Sequence, residues 1–221
     1  MMLKAIVFDL DGTLLDTLLD LQKSVNFALK SLQFPQISYE HARISIGNGT
    51  TVLMRRCTPK NIDESTQEKA FDLFSKYYEK HYNDSTKPYE GIKELLTKLK
   101  SLGFKLGVIS NKLDPKAKEL VQFHFPNIFD AVQGTYLDKP KKPSKIITDM
   151  LLESLGIKGE EALYIGDTEV DLECAKNGNM DFILVGYGYR TVDELKKTCP
   201  TFKPITNFDE LFNRIIEFSK S

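Results

Sequence analysis

Much of what this chain could be is excluded by what it has little of. It carries three cysteines, Cys57, Cys174 and Cys199, an odd number set far apart. No two of them stand at metal-site spacing, so three free thiols in a reducing cytoplasm are expected rather than a disulfide framework. The three histidines, His41, His81 and His124, are equally scattered. With no cysteine or carboxylate at ligand spacing beside them, they read as surface or packing residues. An excess of one charge is also missing, because 30 basic residues nearly cancel 31 acidic ones. No global field therefore draws nucleic acid or an anionic membrane. No apolar run approaches the roughly 18 residues of a membrane span, and the N-terminus enters a strand directly, without a secretory signal. The expectation is a cytoplasmic protein, monomer or homodimer, with no nucleic acid and no membrane as partner.

What is present is an ordinary globular composition, 41% hydrophobic and 28% charged, over 221 residues. That length suits one large domain or a core with a small second domain. The most informative stretch is Phe8-Asp9-Leu10-Asp11-Gly12-Thr13. It follows an apolar run, Ala5-Ile6-Val7-Phe8, that reads as a short buried strand. Asp9 and Asp11 are two residues apart and so point the same way, and Gly12 lets the backbone turn sharply. Such a pair can hold a divalent cation and attack phosphorus with one carboxylate. Taken alone, the same residues also describe a plain strand with an Asp-Gly turn.

Beyond Thr17 the pattern turns helical. Leu18, Leu21, Val25, Ala28, Leu29 and Leu32 share one face, and Phe34-Pro35 ends that helix. The loop Gly47-Asn48-Gly49 separates two short helices. Ser65 with Glu68 forms a capping box for a helix whose stripe, Ala70, Phe71, Phe74, Tyr77, Tyr78 and Tyr82, is read as core. With no strand signal up to Ser85, this region is an all-helical insert, and 83–88 is a polar linker. Strands near 105–110, 131–133, 162–165 and 181–185 then alternate with helices, the last two of which open on Thr191/Glu194 and Asn207/Glu210 caps. The fold class is α/β, a Rossmann-like parallel sheet wrapped by helices. The expected division is a core of 1–16 and 88–221 with a helical insert of 17–87. Ligands bind beyond the carboxyl ends of such strands, where Asp9, Asp11, Ser110 and Asp167 all fall.

Asp9-Leu10-Asp11-Gly12-Thr13-Leu14-Leu15-Asp16-Thr17 resembles the opening motif of the haloacid dehalogenase-like phosphatases. That family's other motifs follow in its order: Val108-Ile109-Ser110-Asn111, Lys142-Pro143, and Gly166-Asp167 with Asp171. The resemblance implies a phosphatase with Mg2+ as cofactor and a small phosphorylated metabolite as partner. It makes Asp9 the nucleophile and Asp11 the general acid–base. Asp9, Asp167 and the Asp11 carbonyl would ligate the metal, with Asp171 behind them orienting its waters. Gly12, Ser110, Asn111 and Lys142 would hold the phosphoryl group, with Lys139 as the alternative lysine. The insert would be a mobile cap whose Gly47-Asn48-Gly49 loop touches substrate. That loop, flanked by Arg43, Arg55 and Arg56, resembles the cap of phosphoglycolate phosphatases, as does Gly186-Tyr187-Gly188-Tyr189-Arg190. The resemblance therefore favours 2-phosphoglycolate as the ester. Other readings stay open: a relative acting on pyrophosphate, phosphonoacetaldehyde or a sugar phosphate, a phosphomutase, or a phospho-accepting signalling or binding module.

Overall fold

The computed structural model describes residues 2–47, 49–136 and 140–220. The chain opens with β1 (Ala5–Phe8) and β2 (Leu15–Asp16). It then runs through α1 (Leu18–Ser31), α2 (Tyr39–Ser45), α3 (Thr50–Cys57) and α4 (Glu64–His81), and returns through β3 (Lys87–Pro88). Alternation follows: α5 (Ile92–Ser101), β4 (Lys105–Leu113), α6 (Asp114–His124), β5 (Ala131–Thr135), α7 (Lys145–Leu155), β6 (Ala162–Gly166), α8 (Glu169–Asn177) and β7 (Asp181–Leu184). Two helices close the chain, α9 (Val192–Thr198) and α10 (Phe208–Lys220). Two compact units result, Met1–Leu15 with Pro88–Ser221, and Asp16–Lys87. The connecting strands β2 and β3 pair as a two-stranded sheet.

All four residues of β1 are fully buried, as befits the middle strand of a parallel sheet covered on both faces. The order is β5-β4-β1-β6-β7, with β1 parallel to both neighbours and Phe8 opposite Val108 and Ile165. Ala5 and Val7 share a cluster with Ile109, Tyr164 and Leu184 and with Ile147 and Leu151 of α7. Phe8, one residue on in the alternation, meets the edge of Phe129, which in turn meets Phe125. From β1 the chain builds outward through β4 and β5, then returns to lay β6 and β7 on the other side. Strand order thus reverses at β1, and the crevice beyond β4, β1 and β6 is the natural ligand position. The parallel α/β sheet expected from the alternation is the one observed.

Among the described residues the insert is built on the helices α1 to α4, with Asp16 and Lys87 in the connecting strands β2 and β3. Leu21, Val25, Ala28 and Leu29 of α1 pack with Leu53, Met54 and Cys57 of α3 and Ala70 and Phe74 of α4. Two expectations need correction here. The cap of α4 is Asp63, not Ser65: its carboxylate accepts the Thr66 N–H and O–H, both at 2.8 Å, and starts the helix earlier. Tyr77 also leaves the core stripe to stack on Phe27, which is 42% exposed, and on His81. A helix with aromatics at 71, 74, 77 and 78 spreads them over more than one face, so only part of the stripe can be core. The three cysteines are free and buried. Among the described residues no helix is long and apolar enough to cross a membrane.

Candidate active site

Asp9 stands one residue beyond β1, where its N–H donates to the Ile165 carbonyl of β6 at 2.9 Å. Asp167 stands one residue beyond β6, and Lys142 lies in the segment leading into α7. Asp171 occupies the first turn of α8, where its Oδ2 caps the helix by accepting the Thr168 N–H (3.1 Å) and O–H (2.6 Å). The Lys142 ammonium bridges two of these carboxylates, donating to Asp9 Oδ1 at 2.6 Å and Asp171 Oδ1 at 2.7 Å. Tyr164, inside β6, donates its hydroxyl to the same Asp171 oxygen at 3.1 Å. None of the four charged residues is more than 6% exposed.

Asp9, Asp167 and Asp171 each offer an oxygen within 4.8 Å of the others. Three buried carboxylates crowd around the Lys142 ammonium, which contacts two of them, and the protonation equilibria register the crowding. Burial and the Asp171 charge push Asp9 well above the usual carboxylate range, against the pull of Lys142. The same two causes push Asp167 up to about 7. Burial opposes the Lys142 charge, but Asp171 and Asp9 outweigh it and hold its ammonium above the ordinary lysine range. An oxygen-only donor set of crowded carboxylates could hold a hard divalent cation. Asp171 is the least available of the three, since Lys142, Tyr164 and Thr168 already occupy its oxygens.

Asp167 is enclosed from the loop after β7 and from the turn after β1. Its carboxylate accepts the Tyr189 N–H at 2.9 Å and the Thr13 hydroxyl at 3.4 Å. Gly12 (φ +94°) and Gly188 let these segments approach, because a Cβ on either would lie 2.5 Å from an Asp167 oxygen. Gly12 is expected on the phosphate; here its N–H donates to the Leu15 carbonyl at 2.9 Å, and its missing Cβ permits close approach to Asp167. Asn111 is likewise expected on the phosphoryl group. Its side chain accepts the Lys142 N–H at 2.7 Å and donates to the Lys142 carbonyl at 3.5 Å, so it positions the lysine segment. Ser110 is buried and its Oγ accepts the Lys112 N–H at 3.1 Å, which leaves the hydroxyl proton for another acceptor. Asp11 is only partly buried and pairs with Lys112, Nζ to Oδ1, at 3.2 Å.

Asn48 and Lys139 lie outside the described residues. Gly47 and Gly49 belong to the insert, where Gly49 is the residue before α3. The flanking arginines are satisfied within the insert: Arg43 by Glu40, Arg55 by Glu64, and Arg56 by the Ser45 carbonyl.

Lys112, Tyr164, Thr168 and Tyr189 carry no expected role from the sequence, yet all bear on the site. For Lys112 a signal existed, since it is two residues beyond Ser110 in an apolar strand. That strand runs on to Leu113 instead of stopping near Ser110, with a register shift against β5 between Ile109 and Leu113. Such an irregularity re-aims side chains next to functional sites, and alternation alone does not reveal it.

The chain matches the model of the "Haloacid dehalogenase-like hydrolase" family over residues 6–185. It belongs to that family, and by class it is a phosphatase, a phosphoric monoester hydrolase. Among its relatives, the phosphoglycolate phosphatase of Aquifex aeolicus is 32% identical over 98% of this chain and 100% of its own length. That of Vibrio parahaemolyticus is 30% identical, with 90% and 91% covered. A crystal structure from Clostridium acetobutylicum, given as a predicted phosphatase, superposes with a TM-score of 0.85 at 30% identity, covering 98% of this chain and 100% of that one.

Proposed function

We propose that this protein hydrolyses a small phosphomonoester through an aspartyl phosphate on Asp9, with magnesium as cofactor and 2-phosphoglycolate as the favoured substrate. The observation that carries the reading is Asp9 itself: a buried carboxylate at the end of the central strand, with one oxygen held by Lys142 at 2.6 Å. An unassisted carboxylate is a weak nucleophile, but an acyl phosphate divides one hard displacement into two easier ones. Asp9 attacks phosphorus as the ester P–O bond breaks, and Asp11 gives its proton to the departing alkoxide. Asp11 then takes a proton from the water that attacks the phosphoryl group, and free Asp9 and phosphate result.

Ser110 and Lys142 supply donors for the phosphoryl oxygens, where transition-state charge resides. Asp9, Asp167 and the Asp11 carbonyl would hold the magnesium, which supplies positive charge to offset repulsion between Asp9 and a phosphate ester. Asp171 fixes Lys142 and Thr168 from behind. We assign the insert 17–87 the role of a cap that excludes water and reads the leaving group. The likeness to the phosphoglycolate phosphatases over nearly the full chain supports the choice of ester, and the absence of any charge excess supports a small cytoplasmic metabolite as partner.

The test is turnover of purified protein with magnesium against small phosphate esters, pyrophosphate, phosphonoacetaldehyde and sugar phosphates. The highest kcat/KM should fall on 2-phosphoglycolate, and acid-quenched enzyme should carry phosphate on the peptide containing Asp9. Preferred release of phosphate from pyrophosphate, or isomerisation of a sugar phosphate, would replace the substrate assignment. Phosphate on any other residue would end the mechanism.

A further inference from the structure

The site contains two buried lysines. Lys142 serves Asp9 and Asp171; Lys112 stands apart from it, at the end of β4, with its side chain 6% exposed and its Nζ 3.2 Å from Asp11 Oδ1. We infer that Lys112 is a positioning residue that holds the Asp11 carboxyl in the orientation from which it delivers its proton. This rests on the proposed role of Asp11 as general acid.

The physical case begins with the strand. A lysine on β4 is bounded by a stiff backbone, and its N–H is tied to Ser110 Oγ at 3.1 Å. Ser110 and Lys112 therefore sit in one fixed irregularity of the strand, between the register points Ile109 and Leu113. An ammonium taken out of water needs a carboxylate partner, and Asp11, 21% exposed in its side chain, supplies one. Asp11 lies beyond the strand's end, where its backbone bridges to Leu15, and the Lys112 ammonium fixes one oxygen of its side chain. An ammonium only donates, so the oxygen it holds must accept. Lys142 cannot do this, since its contacts are with Asp9, Asp171 and Tyr164. The two lysines divide the work, one on the nucleophile and one on the acid.

The experiment exploits leaving-group chemistry. An alkoxide needs a proton as it departs, whereas a nitrophenolate does not, and kcat/KM reads only the steps through departure. Full-length Lys112→Met, Asp11→Asn and the double variant are assayed with magnesium on p-nitrophenyl phosphate and on the alkyl ester turned over best. Asp11→Asn should lose roughly 10²–10⁴-fold on the alkyl ester and far less on the aryl one. Lys112→Met should show the same selectivity at about 10–100-fold, the double variant should be no worse than Asp11→Asn, and Lys112→Arg should recover most of the loss. If Asp11→Asn is unselective, the role of Asp11 fails and this inference with it. If Asp11→Asn is selective but Lys112→Met loses both esters equally, Asp11 keeps its role and Lys112 is a phosphoryl-binding cation instead, which overturns the inference. Should Lys112→Met fail to fold, Lys112→Gln replaces it under the same criteria.

Discussion

Each unit of the molecule buries an aspartate, and the two are satisfied by different means. In the insert, Asp20 of α1 accepts the Ser85 N–H at 2.9 Å and the Thr86 N–H and O–H at 2.8 and 2.9 Å. Every one of these donors is neutral, and all of them come from the segment that follows α4. The carboxylate is thus absorbed as a tie between two parts of one unit. In the core, Asp171 takes two donors from Thr168 and one from Tyr164, but also the Lys142 ammonium that Asp9 shares. Around it stand Asp9 and Asp167, so three carboxylates crowd around that lysine. A buried carboxylate fully met by neutral donors stabilises a fold; crowded carboxylates sharing one cation leave room for a charged ligand.

The sharpest break of that comparison is Asp9→Asn. It replaces a nucleophile by a near-isosteric amide, and activity should fall by at least ~10⁴-fold. Thermal melting should show the fold retained, because removing one of three crowded carboxylates relieves repulsion. Activity within tenfold of the parent would remove Asp9 from the covalent step.

Metal removal comes next. Chelation should lower turnover by roughly 10³-fold or more, and magnesium should restore it. The metal-free protein should also show the crowding as pH dependence. Asp167 is raised to about 7 by burial and by Asp171, so its folded state binds the proton more tightly than the unfolded chain. The stability this contributes is complete below the ordinary carboxylate range and is lost as pH rises towards 7. The Tm of chelated protein should therefore fall between about pH 4 and about pH 7 more steeply than that of Asp167→Asn. Equal slopes for the two proteins would refute that effect of crowding.

Legibility in the sequence followed distance along the chain. The helix caps Thr191/Glu194 and Asn207/Glu210 were readable because each device joins residues three apart. The positions of Asp9 and Asp167 just beyond β1 and β6 were readable because alternation and order place those strand ends together, whereas the strand bearing Ser110 runs on to Leu113. Lys112 was readable only in part, because it lies two residues beyond Ser110 but β4 slips its register there. Tyr164 was not, because a tyrosine in an apolar strand looks like core until Asp171 is found at its hydroxyl. For Gly12 and Asn111 the motif named the residues but not the bonds their atoms make within the chain, Gly12 to Leu15 and Asn111 to the Lys142 segment.

A smaller effect is expected in the insert. Asp20→Ala leaves the Ser85 and Thr86 donors buried without their acceptor, a loss of about 3 kcal/mol. For a chain of this size that is roughly 6–12 °C in Tm. Yet kcat/KM on an aryl phosphate should stay within about threefold, because no group of the core carboxylate cluster is altered. A large catalytic loss with unchanged Tm would reverse the assignment of Asp20 to stability.

The smallest effect should follow Arg55→Ala, and it tests how far the insert's charges resemble those of the core. Arg55 pairs with Glu64 as a surface salt bridge, both side chains more than half exposed. Water screens such a pair and side-chain entropy opposes it, so its loss should cost under ~1 kcal/mol. If the arginine is only a solvated partner for Glu64, kcat/KM should change by less than about twofold on 2-phosphoglycolate and on an aryl phosphate alike. A tenfold loss confined to the carboxylate-bearing ester would mean that Arg55 leaves Glu64 for the substrate when it binds. The contrast between a charged core and a self-satisfied insert would then hold for the free enzyme alone, and the insert would read the leaving group through its arginines.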